Sequence, residues 1–130
     1  MKIENIMTRN VHTLKTTSKV YEAQDIMKEH DFSFLPVLEG AKIVGIITDK
    51  DLINGQIKNK KIIETYFNLE LKDIMNTSFD FVYNTDSETA VFKLLKEKHR
   101  RRVPVVDEKQ NLVGIISIND LNAERMKLEN

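Results

Sequence analysis

The sequence has no cysteine and no tryptophan, and only two prolines and four glycines among 130 residues. Without cysteine there is no disulfide framework, no thiolate metal site and no cysteine nucleophile, a usage that fits a reducing compartment. Sparse proline and glycine exclude collagen-like, mucin-like and linker-like character. Long hydrophobic runs are missing too. The opening "MKIENIMTRN" interrupts each apolar pair with polar residues, so neither a signal peptide nor, further along, a membrane span is expected. Lysine plus arginine number 20 and aspartate plus glutamate also number 20, so no overall field draws the chain toward nucleic acid or an anionic membrane. An anionic ligand would have to be held by local geometry. The 41% apolar share suffices for a core, and the expectation is a soluble, cytoplasmic protein of one domain or two small subdomains.

What the sequence does contain is repetition. Ile6-Met7 returns as Ile74-Met75, and Leu35-Pro36-Val37 as Val103-Pro104-Val105, both at an offset of 68 (74 − 6 and 104 − 36). Gly45 returns as Gly114 and Asp51 as Asp120, at an offset of 69 (114 − 45), so one residue is gained after the proline segment. Internal repetition organises everything else.

Each copy predicts the order β-α-β-β-α. In the first, "VHTL" reads as a short strand and Thr16-Thr17-Ser18 as helix-start chemistry. Val20, Ala23, Ile26 and Met27 then share one helical face. "FLPVLEG" and "KIVGIIT" form an apolar hairpin through Glu39, Gly40 and Ala41, with Pro36 suggesting an edge strand, and "DKDLINGQI" starts a helix. The second copy repeats this with "FDFVY", a helix carrying Ala90, Val91, Leu94 and Leu95, then "RVPVV", "NLVGIIS" and "INDLNAERMKL". Its turn, "DEKQN", lacks glycine and holds the extra residue. The expected boundaries are repeat 1 at 1–60, a connector at 61–72 that packs Ile62, Ile63, Tyr66 and Phe67 on the body, and repeat 2 at 73–130.

Both copies end in an apolar run followed by a hydroxyl residue and, three positions on, an aspartate: "GIITDKDL" and "GIISINDL". A carboxylate so placed can accept from both hydroxyls of a ribose, while a hydroxyl and open helix amides can donate to an anion. The same spacing is also the helix capping box, in which the two residues satisfy each other's backbone amides. Both roles are open at this point, and they can coexist.

The paired "IM" heads, "LPVL" and "VPVV" strands, and "GIITDKDL" and "GIISINDL" ends resemble a tandem pair of CBS domains, a Bateman module, over essentially the whole chain. That resemblance implies an α/β fold of two β-α-β-β-α repeats packed about a pseudo-two-fold axis. It also implies regulation without catalysis, and clefts between repeats that take AMP, ADP, ATP, S-adenosylmethionine or a related adenosine derivative. A homodimer and signalling to a target protein, here unidentified, are implied as well. One cleft would use Thr48 and Asp51, with Lys50 toward a phosphate, Ile46 toward the base and Asp80 toward the adenine amino group. The other would use Ser117 and Asp120, with Ile115 near the base, Asn119 in place of Lys50, His12 contributed from the partner repeat, and Arg101 and Arg102 as a phosphate clamp. Ser33 and Phe34 stand where those arginines would be in the first repeat, so the Ser117 cleft is the stronger expectation.

Two other readings compete. If the signatures serve only as caps, the protein is a ligand-free dimerisation scaffold. If the cluster Lys98–Arg102 is a contact surface, it binds RNA or DNA through arginine–phosphate pairs, although no stacking aromatics interleave with it. The bland account of that cluster is a solvated helix end. His12, His30 and His99 are isolated and no nucleophile motif appears, so neither a metal site nor an enzyme is expected.

Overall fold

The computed structural model describes residues 1–53 and 63–128. Two compact units emerge: a continuous one, His12–Phe79, and a split one formed by Met1–Val11 with Asp80–Asn130. Each is a three-stranded sheet with helices, and the element order β-α-β-β-α holds in both.

In the continuous unit β1 (Leu14–Lys15) pairs in parallel with β2 (Phe34–Glu39), which pairs antiparallel with β3 (Lys42–Thr48). The helix α1 (Val20–His30) precedes β2, and a helix α2 whose described residues are 49–53 follows β3. A short helix α3 (Ile63–Phe67) lies in the connector. The split unit repeats the pattern with β4 (Val82–Tyr83), α4 (Glu88–Glu97), β5 (Arg102–Val106), β6 (Leu112–Ser117) and α5 (Ala123–Leu128). Each unit has its own core. Val20, Ala23, Met27, Leu35, Val37, Ile47, Tyr66 and Leu71 fill one, and Ile3, Met7, Val82, Val91, Leu95, Val103, Val105 and Ile116 fill the other.

The repeat heads sit across the chain order. Thr8 joins the outer edge of β6, exchanging two hydrogen bonds of 2.9 Å with Ile115, and Asn76 joins the outer edge of β3, exchanging bonds of 3.0 and 2.9 Å with Ile46. In each head a 3-10 turn, Ile3–Asn5 or Leu71–Asp73, buries its first side chain completely. The methionine that follows then lies over a glycine of the adjacent strand. A Cβ on Gly114 would sit 2.6 Å from Met7 Sδ and 2.8 Å from the Thr8 carbonyl oxygen, and one on Gly45 would sit 2.5 Å from Met75 Sδ. At Gly114 the bare Cα is a packing requirement, because the near Thr8 oxygen is backbone, whereas at Gly45 the nearest atoms belong to the flexible Met75 side chain.

This arrangement also explains the prolines. Both lie in central strands, β2 and β5, where an edge strand was expected for Pro36. Pro36 opposes Ile46, whose N–H and carbonyl point away from it toward Asn76, and β1 pairs only with Val37 and Leu38. The missing proline N–H thus faces a stretch that β1 does not reach, so the strand is locally an edge. Pro104, opposite Ile115 and beyond β4, repeats the solution.

A second expectation also changes. The hydroxyls of Thr16, Thr17 and Ser18 do not cap α1: Ser18 Oγ accepts the Lys15 N–H at 2.9 Å, and Glu22 caps instead by accepting the Lys19 N–H at 2.6 Å. Ser87 does cap α4, accepting the Ala90 N–H at 3.2 Å. In the connector, Tyr66 is buried and Phe67 packs on the same core, while Ile62 and the Ile63 side chain lie outside the described residues.

Substituting either glycine tests the packing. Gly114→Ala is expected to lower unfolding free energy by about 1–3 kcal/mol, the usual cost of overpacking. Gly45→Ala is expected to cost less, because its nearest backbone atom, the Asn76 oxygen, would be 3.2 Å away rather than 2.8 Å. Urea denaturation of the two variants checks the order.

Candidate functional site

The two signatures occupy the same place in their units, at the outgoing end of the last strand. In the continuous unit Thr48 and Asp51 form a reciprocal box: the Thr48 N–H donates to Asp51 Oδ2 and the Asp51 N–H to Thr48 Oγ1, each at 3.0 Å. In the split unit the Ser117 N–H and Oγ donate to Asp120 Oδ2 at 2.8 and 3.2 Å. The capping role is therefore present in both copies. These bonds engage Oδ2 in each aspartate, and all four residues remain half-buried.

Around Ser117 the split unit gathers most of the residues expected beside it. Ile115 is two positions back on β6, next to Thr8, and Arg102 pairs with Ser117 across the β5–β6 ladder. The Arg101 carbonyl accepts the Ile118 N–H at 2.8 Å, fixing the arginine loop against the turn Ile118–Asp120. Arg101, Arg102 and Asn119 are all exposed, and Arg102 stands across the ladder from Ser117. Backbone geometry is the same in the continuous unit, where the Asp49 N–H donates to the Ser33 carbonyl at 3.1 Å and Phe34 pairs with Thr48. The side chains differ: an exposed serine and a half-buried phenylalanine replace the arginines. Ile46 lies beside Asn76, and Lys50 is exposed on the first turn of α2.

Two of the expected residues lie in the unit opposite their signature. His12 belongs to the continuous unit, where its ring lies 4.4 Å from that of His30 and 5.4 Å from that of Phe32. Asp80 belongs to the split unit and pairs with Arg100 at 3.3 Å. Thr8 and Asn76, which the sequence reading passed over, are the head residues beside Ile115 and Ile46. Their signal was available, since each directly follows a repeated "IM".

The basic stretch itself begins as a helix end. α4 stops at Glu97, His99 adopts a left-handed φ of 54°, and the Arg100 N–H returns to the Leu95 carbonyl at 2.9 Å. Asp31, one repeat earlier, ends α1 the same way at φ 57°.

A CBS-domain family model matches residues 3–58 and 71–127. The chain belongs to the CBS-domain family. It is 28% identical over 127 residues to the CBS domain-containing protein YhcV of Bacillus subtilis, covering 98% of this chain and 87% of that one. It is also 29% identical over 125 residues to inosine-5'-monophosphate dehydrogenase of Methanocaldococcus jannaschii, where 95% of this CBS pair spans only 23% of the larger protein. Among solved structures it resembles CBSX2, crystallised in complex with AMP, with a TM-score of 0.80, 25% identity, and coverage of 99% of this chain and 98% of that one. Among the described residues no helix is long and apolar enough to cross a membrane, and no cluster of three or more histidine and acidic side chains could hold a metal.

The Thr48 signature has a prop of its own. Tyr66, fully buried, donates its hydroxyl to the Leu52 carbonyl in the turn that carries Asp51. Burial and then the nearby Asp51 carboxylate raise the Tyr66 pKa above the ordinary 10.0, since both disfavour phenolate. A raised folded-state pKa means that the contribution to stability is full below the unfolded value and is lost as pH climbs through the folded one. Tyr66→Phe is therefore expected to cost about 1 kcal/mol near neutral pH, the net worth of the hydrogen bond. The gap between wild type and variant should narrow above the ordinary pKa of 10.0, as read by denaturant melts at stepped pH.

Proposed function

We propose that this CBS pair is a regulatory module that binds an adenosine-containing nucleotide, with AMP the first candidate, at the Ser117–Asp120 end of the split unit. In this reading Asp120 takes ribose hydroxyls, Ser117 and Asn119 donate to the sugar–phosphate, Arg101 and Arg102 hold the phosphate, and Ile115 borders the base. The observation that carries it is the register of Arg102 on Ser117: exposed Arg101 and Arg102 open the strand that pairs with the signature in one repeat, whereas Ser33 and Phe34 hold those positions in the other. The capping bonds engage a single carboxylate oxygen of Asp120, and in this reading the Ser117 hydroxyl turns from that oxygen to the ligand. The complex of CBSX2 with AMP supports the choice of ligand class.

Thr48, Asp51, Lys50 and Ile46 form the weaker second site, without a phosphate clamp. His12 and Asp80 enter this reading as bordering residues, each in the unit opposite the signature it was assigned to. Acting as a homodimer in the cytoplasm, the module would pass ligand occupancy to a target protein, because a ligand biases an equilibrium between shapes by its differential affinity for them. The closed capping boxes favour a second reading, a scaffold that binds nothing.

Calorimetry and thermal melting separate the two. AMP at a hundred times its dissociation constant is expected to stabilise the protein by about 2.7 kcal/mol. Asp120→Ala should weaken binding about ten- to a hundredfold, the worth of one or two charge-assisted bonds, and Asp51→Ala should leave the tighter site unchanged. No shift with AMP, ADP, ATP or S-adenosylmethionine would favour the scaffold. Retention on RNA or DNA that is lost with added salt would favour the basic cluster as a nucleic-acid surface.

A further inference from the structure

Glu88 is the one charged side chain found fully buried among the described residues. It opens α4 at the position where Val20 opens α1 (88 − 68 = 20), and Val20 is equally buried. The repeat thus shows that an apolar residue fits this place, so the carboxylate in the second copy calls for another explanation. Its bonds supply one. Glu88 Oε1 accepts Arg125 Nε at 2.7 Å, and Oε2 accepts Arg125 Nη2 at 3.2 Å and the Asn122 N–H at 3.1 Å. Arg125 Nη2 then donates at 3.0 Å to the backbone carbonyl of Asp120.

We propose that Arg125, clamped by buried Glu88, is the positioning residue that holds the Ile118–Asp120 turn and so aims the Asp120 carboxylate. The turn needs such a hold. Where the Thr48 box is followed directly by helix, the Ser117 box is followed by a single 3-10 turn that ends at extended Leu121, with ψ at 149°, before α5 begins. α5 buries no residue of its own, so the polar clamp and the Asn122 cap, which accepts the Glu124 and Arg125 N–H groups at 2.9 and 3.0 Å, fix its start. The hydrogen bonds that Arg125 donates to Glu88 also raise the Arg125 pKa. A bidentate guanidinium fork suits this role, since one head group meets the carboxylate and the carbonyl together.

The consequence for ribose selection rests on the nucleotide reading above; the mechanical part does not. Two variants test both. Glu88→Val with Arg125→Met replaces the buried carboxylate and its half-exposed partner by apolar groups, a change that folds commonly tolerate, and copies the valine of the first repeat. Arg125→Lys keeps the charge but not the fork. Amide hydrogen exchange without nucleotide is expected to quicken at least tenfold at Ser117, Leu121 and Asn122 in both variants, while Ile116 in β6 stays at the wild-type rate. With nucleotide, calorimetry should show the preference for AMP over 2'-deoxy-AMP falling at least fivefold, a ratio that general destabilisation would not change. If either variant is folded by circular dichroism and keeps wild-type exchange at Ser117 and Leu121, the proposal is overturned. If exchange quickens but wild type binds neither nucleotide, the clamp stands and the ligand reading fails.

Discussion

The approach of a methionine to a bare Cα is the constraint on which each unit depends. Met7 over Gly114 and Met75 over Gly45 bring a repeat head against the last strand of a sheet, closely enough for Thr8 and Asn76 to complete its outer edge. Once that edge is occupied, Ile115 and Ile46 direct their backbone groups outward. The prolines opposite them then lose nothing by lacking an N–H, and the signature that follows is held at a fixed end of the sheet. A chain of small requirements links Met7 to Asp120, 113 residues on (120 − 7), and Met75 to Asp51, 24 residues back (75 − 51).

The two copies share this frame and diverge in what they hang on it. In one, Thr48 leads into helix and Asp51 is backed by the buried hydroxyl of Tyr66, a residue from the connector. In the other, Ser117 leads into a single turn, backed by Arg125 and Glu88 from two helices. The flanking positions diverge as well, with two arginines in one copy and serine and phenylalanine in the other. Identical backbone registers carry different side chains, arginines at one signature and a serine and a phenylalanine at the other.

Much of this was legible in the sequence, because repetition and period-two apolar runs are local signals. The element order, the hairpins, the capping boxes and the CBS family all follow from them. Legibility ended where a residue's role depends on distant partners. Ser18 looked like a helix cap because hydroxyls usually are, yet Glu22 was available to take the Lys19 N–H and the hydroxyl closed onto Lys15 instead. Pro36 looked like an edge residue because the shortness of β1 cannot be seen in "VHTL". His12 and Asp80 were placed by analogy, and their ring and ion-pair partners are visible only in three dimensions. Glu88 gave no hint at all, since an acidic residue at a helix start is ordinary on a surface and becomes notable only when its exposure is 0%.

The exchange of heads has a consequence for synthesis. The continuous unit spans one unbroken stretch, His12–Phe79, and can close as soon as that stretch leaves the ribosome. The split unit cannot: Ile3 and Met7, made first, belong in a core whose other members run from Val82 to Ile116. Until those emerge, the leading segment trails unpaired from an already folded neighbour, its apolar side chains open to chaperones or to another nascent chain. Closing so long a loop is slow rather than costly, because the entropy of closure grows only with the logarithm of length. Translation speed through the second repeat therefore sets how long that exposure lasts.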